Sequence, residues 1–138
     1  MIHITNTIRF NQSFDDFTRN PKNRYRTFDI EDDAVPKKIL NRIGKEKFKD
    51  EPLTEEESLE LKQHLENKIK KLLSTRVPEP NYRTKIEFLG QTIELNATPF
   101  GKNAQDNWIN MFYDAYKICE ECLAENKPVY LSISEHEN

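Results

Sequence analysis

The chain has 138 residues, of which 36% are hydrophobic and 33% charged, and its formal net charge is −3. That length fits one domain spanning 1–138 with a substantial core, and the near-balanced charge demands neither nucleic acid nor a membrane as partner. No stretch approaches the roughly 18 apolar residues of a membrane span, the first twenty residues lack the apolar core of a signal peptide, and two cysteines three apart do not make a secreted disulfide framework; the expectation is a cytoplasmic protein.

Charge is distributed unevenly. Residues 1–50 carry a net of +3, residues 51–76 a net of −1, and residues 77–138 a net of −5. A polar molecule of this kind can steer a charged partner, although such asymmetry is also ordinary in small domains.

Residues 2–10 alternate, with Ile2, Ile4, Ile8 and Phe10 on one face and His3, Thr5, Thr7 and Arg9 on the other, which is the period of a strand. His3 reads as solvated. Residues 13–19 suit a short helix with Ser13 and Asp16 as a capping pair and Phe14 and Phe17 on one side. The Pro/Asn-rich loop that follows holds Arg19, Lys22, Arg24, Tyr25 and Arg26. Cations beside a stacking ring suit a nucleic-acid groove, and equally a plain surface loop.

Asp29, Glu31, Asp32 and Asp33 form the sharpest acidic cluster and precede Pro36. Their place suits the positive end of a short helix whose inner face is Ile39, Leu40 and Ile43 and whose stop is Gly44. Two other readings stay open: a divalent metal, against which the EF-hand spacing is absent, and docking onto a basic partner. Residues 54–76 predict a second helix. Thr54 and Glu57 make a capping box, Leu61, Leu65, Ile69 and Leu72 follow as one stripe, and Lys68, Lys70, Lys71 and Arg76 lie toward the end. Too few heptads are present for a coiled coil, so the stripe is expected to pack on its own domain. His64, next to the stripe, reads as solvated.

Residues 82–97 alternate as a β-hairpin. A type II′ turn at Gly90-Gln91 pairs Phe88 with Ile93 and Ile86 with Leu95. From Asn103 to Glu125 runs the richest helix of the chain, capped by Asn103 with Asp106 at the positive end of its dipole. Trp108, Phe112, Ala115, Cys119 and Cys122 make its main stripe, Ile109, Met111, Tyr116, Ile118 and Leu123 widen it, and Asn107, Asn110, Asp114, Lys117 and Glu121 form a narrow polar strip. A helix wet on so little of its surface belongs between a sheet and other elements. A last strand over 128–134 places Val129, Leu131 and Ile133 on one face, and residues 135–138 are expected to fray. The fold class is α+β: a small mixed or antiparallel sheet of about four strands, one β-hairpin among them, packed against three helices in the order β-α-α-β-β-α-β.

Chemistry-bearing motifs are sparse. Cys119-x-x-Cys122 lies in the last turns of a helix, where the dipole opposes a thiolate, and no second ligand pair completes a zinc site, so both read as core residues. There is no glycine-rich phosphate loop, nucleophile elbow or zinc-hydrolase motif. No cofactor and no metal are expected. A catalytic site assembled from distant positions remains an open alternative.

In type rather than by motif, this small, mildly acidic α+β sequence resembles the bacterial immunity proteins of toxin–immunity pairs, such as those of contact-dependent growth inhibition systems. The resemblance implies a stoichiometric inhibitor that binds a cognate toxin, such as a basic nuclease domain, and blocks its working surface; it carries over no residue. The chain's own acids supply the contact candidates: Asp29, Glu31, Asp32 and Asp33 first, then Asp114, Glu120 and Glu121, since acidic surfaces speed encounter with basic partners. The alternatives are a nucleic-acid-binding regulator working through the Arg19–Arg26 loop, with nucleic acid the less expected partner, and an enzyme whose site the sequence hides.

Overall fold

A computed structural model describes residues 4–11, 25–43, 51–77, 84–96 and 104–137. The class is α+β, and the expected succession of strands and helices is present. Two strands join the expected set. A four-stranded antiparallel sheet has the order β2-β1-β6-β3 and is built from β1 (Ile4–Asn11), β2 (Tyr25–Asp29), β3 (Glu51–Pro52) and β6 (Tyr130–Glu137). The hairpin β4 (Thr84–Phe88) and β5 (Gln91–Leu95) forms a separate two-stranded sheet. Three helices complete the fold: α1 (Lys37–Ile43), α2 (Glu55–Thr75) and α3 (Ala104–Ala124).

The first and last described strands meet at the sheet centre. Strand β1 pairs with β6 from Ile4↔Glu137 to Asn11↔Tyr130. The expected frayed tail is therefore corrected: Glu135, His136 and Glu137 are ladder residues opposite Asn6, Thr5 and Ile4. Strand β2 replaces the end of the expected basic loop. Arg26 and Thr27 suit an edge, where charge discourages further pairing, while Phe28 turns inward and is buried. Pro52 has no N–H to give and sits in β3, at the opposite edge. The expected short helix over 13–19, Arg19, Lys22, Arg24 and the stop at Gly44 lie outside the described residues.

Helix α2 starts where its capping box predicts. Thr54 Oγ1 accepts from the Glu57 N–H at 3.1 Å, and Glu57 Oε1 accepts from the Thr54 N–H at 3.0 Å. Its buried stripe is Ser58, Leu61, Leu65 and Ile69. Those residues pack along α3, which settles the leucine stripe as part of the domain core.

Helix α3 contacts both sheets. Phe112 stacks on Phe28 of β2 at 5.3 Å, with Trp108 stacked behind it at 5.6 Å. One turn further on Tyr116 meets Phe88 of the hairpin edge-on at 5.4 Å, and the Tyr113 hydroxyl donates to the Glu87 carbonyl at 2.9 Å. Ile109, Phe112, Ala115, Tyr116, Ile118, Cys119 and Cys122 are buried. Burial of each large side chain is worth about 1.5–3 kcal/mol, so α3 is the element on which both sheets depend. Both cysteines are free and buried, as core residues.

The hairpin register differs from the expected one by two residues. Ile86 pairs with Ile93, Phe88 with Gln91 and Thr84 with Leu95. The turn is Leu89-Gly90, with φ of +50° and +77°. Positive φ at both central positions is the type I′ geometry, whose twist matches the flanking strands. A shift of two preserves the faces, so Ile86, Phe88, Ile93 and Leu95 still share one side.

Candidate functional site

The acidic cluster does not open a helix. After β2 ends at Asp29, residues Ile30–Asp32 make one 3-10 turn, and Asp33 closes it with φ of +56°. Pro36 disfavours helical dihedrals at Val35, and α1 begins only at Lys37, with no acid in its first turn. The acids therefore stand on a free-standing turn, not on the helix dipole, which corrects that reading.

The turn is held by its own side chains. Asp32 Oδ2 accepts from the Asp29 N–H at 2.9 Å. Asp33 Oδ2 lies 2.6 Å from Lys68 Nζ of α2, and the Asp33 carbonyl lies 2.7 Å from His64 Nε2. His64 is thus a structural contact between α2 and the turn, which corrects its reading as merely solvated. The hydrogen bond from Lys68 holds the Asp33 carboxyl below its ordinary value. Burial pushes the Asp32 carboxyl up, outweighing the backbone hydrogen bond that favours its charge. Asp29, Glu31 and Asp33 are all exposed; Asp32 and Asp33 fix the turn, the Asp29 side chain shares its capping box by accepting from the Asp32 N–H, and Glu31 is displayed without a part in it.

The weaker candidates lie on the polar strip of α3. Asp114 Oδ2 is 3.6 Å from Arg26 Nη1 of β2, both side chains being about one-third exposed at 35% and 33%. This contact ties a residue of the expected basic patch to a residue of the expected acidic surface. The Arg26 Nε is buried and has no hydrogen-bond partner among the described residues. Glu120 Oε1 accepts from Lys117 Nζ at 2.6 Å, which lowers the Glu120 carboxyl and raises the Lys117 ammonium. Beneath them burial pushes the Tyr116 hydroxyl up to about 12, with Glu120 adding to the effect, and Lys62 Nζ lies 5.6 Å from the centre of the Tyr116 ring. Glu121 is half-buried on the same strip.

The best-built polar contact among the described residues was read from sequence only as two dipole charges. Asp106, fully buried, accepts from Arg76 Nε at 2.7 Å and from Arg76 Nη2 at 2.8 Å. It also accepts from the Asn96 N–H at 2.7 Å, while Arg76 Nη2 donates to the Glu94 carbonyl at 2.9 Å. One fork ties the end of α2, the start of α3 and the end of β5. The residues are 30 apart in sequence, beyond the reach of any local pattern.

Among the described residues no three His, Cys, Asp or Glu side chains converge as metal ligands, and no helix is long and apolar enough to cross a membrane. What the arrangement offers chemically is an acidic turn tied to α2 and a mixed-charge helix strip. No protein-family model, curated protein or solved structure matches this chain.

Proposed function

We propose that the protein is a stoichiometric protein-binding inhibitor, of the immunity-protein type that neutralises a cognate bacterial toxin, acting in the cytoplasm. The observation that carries this reading is the 29–33 turn. Its backbone is fixed by the Asp32 cap, the Lys68 ion pair and the His64 contact, yet Asp29 and Glu31 are left exposed. A displayed group that is already ordered loses less entropy on binding. Exposed carboxylates also draw in a basic partner, such as a nuclease domain, and speed its encounter. On this reading Asp29 and Glu31 lead the contact, and Asp114, Glu120 and Glu121 extend it along α3. Asp32 and Asp33 serve by holding the turn in shape.

A tagged pull-down with a nuclease-treated control tests the reading. The expected result is one co-purifying protein at equal stoichiometry, unaffected by nuclease. Glu31→Gln in that complex is expected to weaken binding and reduce its salt dependence, because a surface charge acts mainly through long-range attraction. Binding that depends on nucleic acid, or an affinity and salt dependence unchanged when Asp29 and Glu31 are both neutralised, overturns it.

A further inference from the structure

A second feature lies away from the acidic turn, where the start of α2 faces the chain leaving α3. The Leu53 N–H donates to the Val129 carbonyl at 2.8 Å and draws these segments together. Beside this bond is a cleft of about 240 Å³. Its apolar wall is Leu53, Leu123 and Pro128, and its polar residues include Glu55, Ser58 and Lys127.

Two of these polar groups lack partners. Ser58 is only 1% exposed, and its Oγ makes no hydrogen bond. A serine in a helix ordinarily returns its hydroxyl to the carbonyl one turn back, and a buried hydroxyl left unpaired costs about 1–3 kcal/mol. Glu55, exposed at the first position of α2, forms no ion pair among the described residues. Lys127, by contrast, has a counter-charge, with Nζ 3.2 Å from Glu125 Oε2. Of the two lining charges, Glu55 is the one outside an ion pair among the described residues, and the unused hydroxyl is an acceptor for an incoming N–H.

Size narrows the occupant. The volume falls below the roughly 300–1,000 Å³ of ordinary small-molecule pockets. A nucleotide is too large, whereas one long side chain fits. We propose that this cleft binds an alkylguanidinium or alkylammonium group, its stem against Leu53, Leu123 and Pro128 and its N–H donors on Glu55 and Ser58. The group can belong to a basic side chain of a protein or to a free small cation. The site does not depend on the acidic turn or on the inhibitor reading.

Titration of the whole protein with agmatine, followed by the amide NMR signals of Ser58, Leu123 and Lys127, tests the assignment. Acetyl-norleucine amide controls for apolar contact and acetyl-glutamate for charge sign. Saturable shifts with agmatine alone are expected, weakened about tenfold in Glu55→Gln and in Ser58→Ala, the effect of one charge-assisted hydrogen bond. Neither variant endangers the fold, since Glu55 is exposed and Ser58→Ala removes an unpaired hydroxyl. A capped Gly-Arg-Gly peptide separates the sources. Binding like that of agmatine admits a protein side chain, and binding of agmatine alone restricts the site to free cations. No saturable shift, equal shifts with acetyl-norleucine amide, or full affinity in both variants overturns the proposal.

Discussion

Replacing Arg76 by Met tests whether the buried fork holds the two long helices and the hairpin together. Met keeps much of the aliphatic stem but removes both bonds to Asp106 and the bond to the Glu94 carbonyl. Asp106 is then a fully buried carboxylate that has lost its guanidinium and keeps its bond from the Asn96 N–H. Stranding one member of a buried pair costs about 3–5 kcal/mol. An exposed pair would cost below about 1 kcal/mol. For a chain of this size the loss lowers Tm by roughly 10–20 °C. Urea melts followed by circular dichroism measure it. Most of the loss is expected to return in the double variant Arg76→Met with Asp106→Asn, because the stranded charge is gone. The defect is expected to persist in high salt, which screens buried charges poorly. A loss under about 1 kcal/mol, or one that salt abolishes, refutes the reasoning and makes Arg76 a surface residue in effect.

Leu89→Asn is expected to stabilise the chain by up to about 1 kcal/mol, because Leu89 is half exposed at φ +50° and Asn-Gly is the favoured type I′ pair; were the turn instead at Gly90-Gln91, the change would fall in a strand and lower the urea midpoint. Acid is expected to destabilise the fold. The Asp33, Glu57 and Glu120 carboxyls lie below their ordinary values in the folded state, so they stabilise it above their unfolded pKa of 3.8 or 4.5 and cease to do so as pH falls through the folded values. Asp32 is shifted upward and works the other way. For Glu57 burial opposes the charge, and the hydrogen bond from Arg42 with those at the Thr54 cap overcomes it; Glu57→Gln should therefore flatten the fall of the urea midpoint between about pH 5 and 3, and an unaltered slope would count against the contact. Burial raises both thiols, Cys122 to about 11 and Cys119 beyond it, so iodoacetamide should spare the folded protein and label both cysteines in urea. Prompt labelling under native conditions would place them outside the core.

Much of the fold was legible because its signals are local. Thr54 and Glu57 announce the start of α2 three residues apart, and the spacing of Leu61, Leu65 and Ile69 gives its buried face. The same stripe extended back one turn reaches Ser58, so a hydroxyl on the inner face was also visible, although its lack of a partner was not. The breadth of the apolar face on α3 pointed to more than one neighbour, and Phe28 of one sheet and Phe88 of the other meet it one turn apart. Strand β2 was hidden because Arg26 and Thr27 precede its buried Phe28 ring, and edge strands tolerate such charge. The hairpin turn was placed one residue late because Gly in a two-residue loop suits either central position, and a leucine at positive φ has no sequence signal of its own.

The candidate acids show where local reasoning stops. A run of four carboxylates before a proline looks like compensation for a helix dipole, but a proline at the helix entrance keeps the residue before it out of the helical region. Acids upstream of Pro36 were therefore bound to lie outside α1, and that much the sequence contained. What it could not contain is the division of labour within the cluster. Lys68 and His64 reach the turn from α2, more than thirty residues away, and only that tertiary placement commits Asp33 to structure while leaving Glu31 exposed. The consequence for any partner contact is specific. Neutralising Asp33 releases Lys68 and loosens the turn, so it can weaken binding without touching the partner, whereas neutralising Glu31 changes only displayed charge. A loss of affinity carries information about the interface when it comes from Glu31, and about preorganisation when it comes from Asp33.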